Sequence, residues 1–362
     1  MIRVLLVGPT LDTFPGGVAI QAQVLADRFN AEGEVLIEQH PITPTAPRPI
    51  RWLQRVPGVR TVVTGIVYLA SLGRRIRRFD VVHVNSARFS SFVISSLPAV
   101  LVARLLRRPV VLEYHNGDLR EELRRFRPIF RWLLTVPNLL VVPSPFLEEV
   151  LGEVSLRATV IANQVDVARF RFRDRRPLRP IFLSCRHFED LYDIPTLIRA
   201  FSRIQAQYPD AELLVAGQGS REAAVRALVE SLRLTNVSFV GQIDADRMAN
   251  LYDPADILLN SSVVDNAPSS LIEAFAAGLP IVSTNAGGIP FLIRDRITGR
   301  LVDTGDDEGL AREAVALLES PEVAAAMARA ARTEAEARFT WEAVRAAWLA
   351  AYHSVMAREG RG

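Results

Sequence analysis

The sequence predicts an α/β protein made of two doubly wound, parallel-sheet domains in tandem. Three observations predict it. A chain of 362 residues is too long for one ordinary core and suits about two domains. Short runs that are apolar throughout alternate with amphipathic stretches, as expected of parallel strands buried on both faces. The alternation breaks at the Arg- and Pro-rich "RFRDRRPLRP" (171–180) and then restarts.

In the first half, "RVLLVGP" reads as a strand and "GGVAIQAQVLADRF" as a helix. "DVVHVNS" (80–86), "PVVLEYHNG" (109–117) and "NLLVVPS" (138–144) read as further strands, each ending in polar or turn residues. The segment 171–180 has no apolar periodicity and reads as the linker. Beyond it, "IFLSCR" is a strand, "IPTLIRAFSRIQAQY" a helix, "AELLVAGQGS" a strand with a glycine turn, and "REAAVRALVESLRL" a helix. "VSFVGQI", "ADILLNSS" and "PIVST" complete the strands. The predicted domains are 1–170 and 175–342, and the C-terminal stretch 339–356 is amphipathic. Ligands of open parallel sheets bind at the carboxyl ends of strands. Gly16, Gly17, His115, Gly117, Ser144, Arg186, Gly217 and the loop 264–270 all fall at such ends.

Hydrophobic content of 49% and charged content of 23% are those of an ordinary soluble domain. The single cysteine, Cys185, excludes an intramolecular disulfide and points to a reducing, cytoplasmic setting. The apolar start "MIRVLLVGPT" is too short for a signal peptide, and "VVTGIVYLASLG" (62–73) falls short of the roughly 18 residues of a spanning helix. Lysine is absent, so all 43 basic residues are arginine and every fixed positive side chain must be Arg.

The net charge of +3 hides an asymmetry: residues 1–180 hold 26 Arg against 15 acids, and the remainder 17 against 25. Residues 44–131 alone hold 17 Arg and 5 acids, interleaved with Trp and Phe in "RPIRWLQRVPGVR" and "REELRRFRPIFRWLL". This stretch reads either as a solvated face over core aromatics or as a docking face for an anionic membrane surface or a phosphate-bearing lipid. No nucleic-acid-binding motif accompanies it, so nucleic acid is not an expected partner.

The chemistry concentrates in "VDNAPSSLIEAFAAGLPIVSTNAGGIP" (264–290). Asp265 and Glu273 flank a helix start. Ser270 and Glu273 have capping-box spacing, which gives Glu273 a purely structural reading. The other reading is an anion site. The amides of Ser269, Ser270 and Leu271 would face a diphosphate at the positive helix end, while Pro268 has no N–H to offer. Glu273 would then reach sugar hydroxyls. No His/Cys cluster has metal spacing, and "DAD" (244–246) reads as a helix cap, so no metal is expected.

Residues 260–290 resemble the donor-binding segment of family 4 retaining glycosyltransferases (glycosyl transferases group 1, GT-B fold). The family shows E-x7-E followed by an "EAmAxGxPV" helix-turn-strand; here it is D-x7-E and "EAFAAGLPIVSTNAGGIP". "VVHVNS" and "YHNG" are similar to two histidine-bearing strand ends, and "VIANQVDVARF", "LVAGQGS", "VSFVGQI" and "LYDPADILLNSS" follow in the family's order. The resemblance implies two Rossmann-like domains facing across a cleft, the first binding the acceptor and the second the nucleotide-sugar, with the C-terminal helix 343–362 packing back on the first. It also implies transfer of a sugar from a nucleoside-diphosphate sugar to a hydroxyl with retention. The acceptor would be lipid-linked, a polysaccharide or a small molecule.

The same resemblance assigns ribose binding to Glu273, sugar contacts to Asp265 and His115, and the diphosphate to Arg186. Gly16, Gly17, Gly217, Gln242, Ile243, Ala267, Ser269, Ser270 and Leu271 are the remaining candidate co-substrate contacts, with a UDP- or GDP-sugar as co-substrate and no other cofactor. Leu191 and Tyr192 stand where the family carries a diphosphate lysine. A structural alternative pairs Arg186 with Glu189 or Asp190, and His83 reads as a core residue. The rival functions are a nucleotide-sugar epimerase and a non-catalytic sugar-nucleotide-binding partner.

Overall fold

The structure is a computed structural model; it describes all residues except 14, 15, 57, 87, 244 and 360–362. The chain divides into two compact units, Met1–Ile161 together with the residues from Arg345 onward, and Ala162–Val344.

The first unit carries six parallel strands: β1 (Ile2–Gly8), β2 (Val35–Pro41), β3 (Val81–Ser86), β4 (Val110–Tyr114), β5 (Leu139–Val142) and β6 (Thr159–Val160). Their order is β2-β1-β3-β4-β5-β6. β1, β3 and β4 are buried along almost their whole length, as apolar runs in the middle of a covered sheet must be. The winding direction reverses between β1 and β3. The helix Trp341–Glu359 joins this unit from Arg345 on. Arg345 pairs with Glu32 and Glu34, and Trp348 and Tyr352 lay their rings against His83, with centroids 4.8 and 6.0 Å away.

The second unit repeats the plan with β7 (Ile181–Cys185), β8 (Glu212–Ala216), β9 (Val237–Gly241), β10 (Ile257–Asn260), β11 (Ile281–Thr284) and β12 (Arg300–Val302). All pair in parallel in the order β12-β11-β10-β7-β8-β9, the doubly wound dinucleotide-fold order. Its switch point lies between β7 and β10.

The segment read as a linker is not a tether, and the first unit ends at 161 rather than near 170. Asp256, 0% exposed, collects Arg173, Arg175 and Arg179. Arg175 is itself buried and donates to the carbonyls of Tyr252, Ala255, Ala277 and Gly278 at 3.1, 2.8, 2.7 and 2.9 Å. It thereby satisfies the ends of two helices that have no further helical partners. An arginine-rich stretch looks solvated in sequence; here a buried carboxylate and orphan carbonyls draw it inside. Among the described residues, no helix is long and apolar enough to cross a membrane.

Candidate active site

Arg186 follows β7 directly, so it stands at the switch point of the second sheet. Its guanidinium pairs with Asp265, and its Nε donates to Asn260 Oδ1 at 3.0 Å, across to the end of β10. Both members of the ion pair are nearly buried, at 11% and 12% side-chain exposure. The alternative pairing with Glu189 or Asp190 does not occur. Glu189 accepts from Ser220, and Asp190 from Arg221. The position without the family's lysine holds an aromatic face: the Arg186 guanidinium lies over the Tyr192 ring, 5.0 Å from its centroid. The backbone there is laced to the Asp265 loop. Leu191 O accepts from the amides of Val263 and Val264, and Ser261 Oγ donates to Tyr192 O at 2.8 Å.

The helix Ser269–Ala277 opens beside this pair. Its N-cap is Pro268, not Ser270, and no side chain caps it. Proline's fixed φ starts the helix two residues earlier than the capping-box spacing implies, so Glu273 lies beyond N3 and the box is not made. Glu273 instead accepts from Tyr252 Oη at 2.7 Å. It is half-buried, and burial raises its carboxyl above the ordinary range, against the Tyr252 hydrogen bond and the positive charge of Arg186. The neighbouring Cys185 thiol is pushed up to about 12, first by burial and then by Glu273. Ser269 and Ser270 are half-buried. Leu271 departs from the expectation: its side chain is fully buried and its amide donates to Pro268 O at 3.1 Å in the first turn.

Glycines let the strand-end loops close on one another. At Gly217, φ is +143° and a Cβ would lie 2.0 Å from Arg186 O; its amide donates to Gly241 O. Gly287, at φ +51°, and Gly288 face the carbonyls of Asp265 and Asn266, where a Cβ would come to 2.2 and 2.1 Å. No other residue type fits such contacts. Gln242 accepts from Gln218 Nε2 at 2.6 Å, Ile243 packs on the core, and Ala267 O accepts from Asn163 Nδ2 at 2.9 Å.

In the first unit, His115 follows β4, and its amide donates to Ser86 O. Its Nε2 lies 3.3 Å from Glu113 Oε1, while Glu113 Oε2 lies 3.2 Å from Nε2 of the buried His83. His83 Nδ1 in turn meets Tyr352 Oη at 3.0 Å. Burial would raise the Glu113 carboxyl, but His115 and His83 outweigh it and hold the group well below the ordinary range. His83 is a core residue, as the sequence suggests, but one wired to a functional candidate. Gly16 caps the helix Gly17–Glu32 with extended backbone, and a Cβ at Gly16 or Gly17 would meet no described atom within 4 Å. Ser144 caps its own helix through Leu147 N. Asp244, the proposed helix cap, lies outside the described residues. Among the described residues, no group of three His, Cys, Asp or Glu side chains could hold a metal.

Sequence reasoning missed Glu113, Tyr252 and Asn260, and it marked Tyr192 only as standing where the family carries a lysine. Glu113 had a signal, because it lies two residues before His115 on a strand and therefore on the same face.

Two nucleotide-binding-type sheets, the second with an arginine, a paired acid and a helix start at its switch point, define the GT-B architecture. Residues 168–334 match the family described as Glycosyl transferases group 1, and residues 15–169 match Glycosyltransferase Family 4. The chain belongs to these family 4 glycosyltransferases and is a glycosyltransferase of the GT-B fold. It is 30% identical over 183 residues to N-acetyl-alpha-D-glucosaminyl L-malate synthase of Bacillus anthracis, a match covering 50% of this chain and 47% of that protein. With phosphatidyl-myo-inositol mannosyltransferase of Mycolicibacterium smegmatis it is 25% identical over 98% of this chain and 94% of that one. Sucrose-phosphate synthase of Thermosynechococcus elongatus shares the fold at a TM-score of 0.79 and 20% identity, covering 99% and 100% of the two chains. Anabaena HepE in complex with UDP-glucose gives 0.75 and 17%, covering 98% and 100%.

Proposed function

We propose that the protein transfers a sugar from a nucleoside-diphosphate sugar to a hydroxyl of a glycan, glycolipid or small-molecule acceptor, with retention at the anomeric carbon. The observation that carries this reading is Arg186 at the switch point, nearly buried against Asp265 and beside the start of the helix Ser269–Ala277. A diphosphate there meets one fixed positive charge and the positive end of a helix. Arg186 stabilises the charge that develops on the departing diphosphate. Glu273, one turn into the helix, binds the ribose hydroxyls, and Tyr252 fixes its orientation. Asp265 orients the transferred sugar. In the transfer step the acceptor oxygen bonds to the anomeric carbon on the face from which the diphosphate leaves. The acceptor proton passes to the leaving phosphate oxygen, so the chain supplies no separate base.

The crystallised relative HepE, in complex with UDP-glucose, favours a UDP-sugar as donor. The mannosyltransferase relative, named for phosphatidyl-myo-inositol, favours a lipid-borne acceptor. An anionic membrane surface is the matching partner for the first unit. On the helix Val59–Ile76, Val62 and Ile66 are 61% and 62% exposed on one stripe, with Val59 and Leu69 extending it, amid the arginines of 44–131.

Calorimetry with UDP and GDP, followed by rate assays on UDP- and GDP-sugars, tests the proposal. At least one nucleotide binds, Glu273→Ala weakens it about tenfold or more, and the product keeps the donor's anomeric configuration by NMR. Binding of neither nucleotide, or an inverted product, refutes it. Conversion of donor with no acceptor present would make the protein an epimerase instead.

A further inference from the structure

The first sheet has its own switch point, between β1 and β3, where Gly8 ends one strand and Asn85 and Ser86 end the other. Asn85 is 2% exposed, yet among the described residues neither its Oδ1 nor its Nδ2 has a hydrogen-bond partner. Buried amides are almost always satisfied, because an unpaired one loses its hydration with nothing in return. A second orphan lies beside it. The strand register pairs Asn85 with Glu113, and His115 comes two residues later on the same face. His115 Nε2 is buried and also makes no hydrogen bond, although it stands near Glu113. A side chain at Gly8 would crowd Asn85, since a Cβ there would come to 3.0 Å from Asn85 Cβ.

We propose that Asn85, flanked by His115, is a hydroxyl-binding residue that recognises adjacent hydroxyls of a neutral polyol or glycoside acceptor. A primary amide offers a donor and an acceptor side by side, and each hydroxyl of a vicinal pair can both give and take a hydrogen bond. A neutral ligand is the better match because neither Asn85 nor Glu113, paired in the strand register, brings a positive charge for a phosphate. This inference rests on the proposed transfer to an acceptor hydroxyl and on the first domain's expected role of binding that acceptor.

The test uses the full chain and saturation-transfer NMR with methyl α-D-glucopyranoside and glycerol as neutral probes and glucose 6-phosphate as the charged one. UDP calorimetry runs alongside as the control for the second unit. Asn85→Leu removes the unpaired amide at similar volume, so its Tm should equal or exceed that of the unsubstituted protein while transfer from the neutral probes falls about tenfold. Asn85→Asp keeps the shape and adds charge next to Glu113, and should lose the same signal. UDP affinity should not change in either variant. Full transfer in either folded variant, transfer from glucose 6-phosphate in preference to the neutral probes, or no transfer to the unsubstituted protein overturns the inference. A lowered Tm in Asn85→Leu with the glycoside signal intact assigns the amide a structural role and also overturns it. Absent UDP binding with the glycoside result intact would refute the donor reading alone.

Discussion

Asp265→Asn should make the protein hold a nucleoside diphosphate more tightly and transfer sugar more slowly. Without ligand, Asp265 is the counterion of Arg186. A diphosphate must compete with it for the same guanidinium. Unit charges about 4 Å apart attract by about 4 kcal/mol at an effective dielectric of about 20. The freed guanidinium regains part of that from Asn260 Oδ1, the Tyr192 face and water. A net release of about 1.4 kcal/mol remains, or about tenfold in UDP affinity. The loop should keep its shape, since asparagine retains the oxygen that accepts from Asn266 N at 2.9 Å. Turnover moves the other way, because the proposed charge-assisted hydrogen bond to the sugar would be lost; about 10- to 100-fold in kcat is the expected cost. The assay is UDP calorimetry paired with steady-state rates on one protein preparation. A folded variant that binds UDP no more tightly than the parent would show that Arg186 does not leave Asp265 for phosphate.

Other outcomes follow from the same geometry. The depressed Glu113 carboxyl contributes stability above its unfolded pKa of about 4.3, and that contribution disappears as pH falls toward its folded value. Glu113→Gln should therefore flatten the loss of Tm between about pH 5 and 3, as differential scanning fluorimetry would record. Arg175→Met leaves four carbonyls and the buried Asp256 short of donors, and should cost about 3–5 kcal/mol in urea unfolding. Gly287→Ala forces a Cβ against Asp265 O at positive φ, and should cost about 1–3 kcal/mol and lower UDP-sugar turnover, with far-UV dichroism unchanged.

Strand and helix placement was legible because buried parallel strands leave runs of Val, Ile and Leu that no other context at that length explains. The run "VVHVNS" became β3 and "ADILLNSS" contains β10. The segment 171–180 was misread for the opposite reason. Composition reports how polar a stretch is, but not whether a buried acid such as Asp256 awaits its arginines. The Ser270–Glu273 spacing misled in a similar way. It is a local pattern, and Pro268 shifted the helix start by two residues, which removed the box and left Glu273 to Tyr252.

The sequence by itself determined the two-sheet plan, the order of strand ends along the chain, and the identity of Arg186, Asp265, Glu273 and His115 as the residues to watch. The sheet plan and strand order live in periodicity and spacing, which are properties of the chain alone; the four residues stood out through the family resemblance. Only the tertiary structure decided who partners whom: Arg186 with Asp265 rather than Glu189 or Asp190, Tyr192 beneath the guanidinium, and Glu113 between two histidines. Those pairings join residues on separate strands or on loops brought together by sheet order, and hydrogen bonds or charges act over a few ångströms of space whatever the distance along the chain.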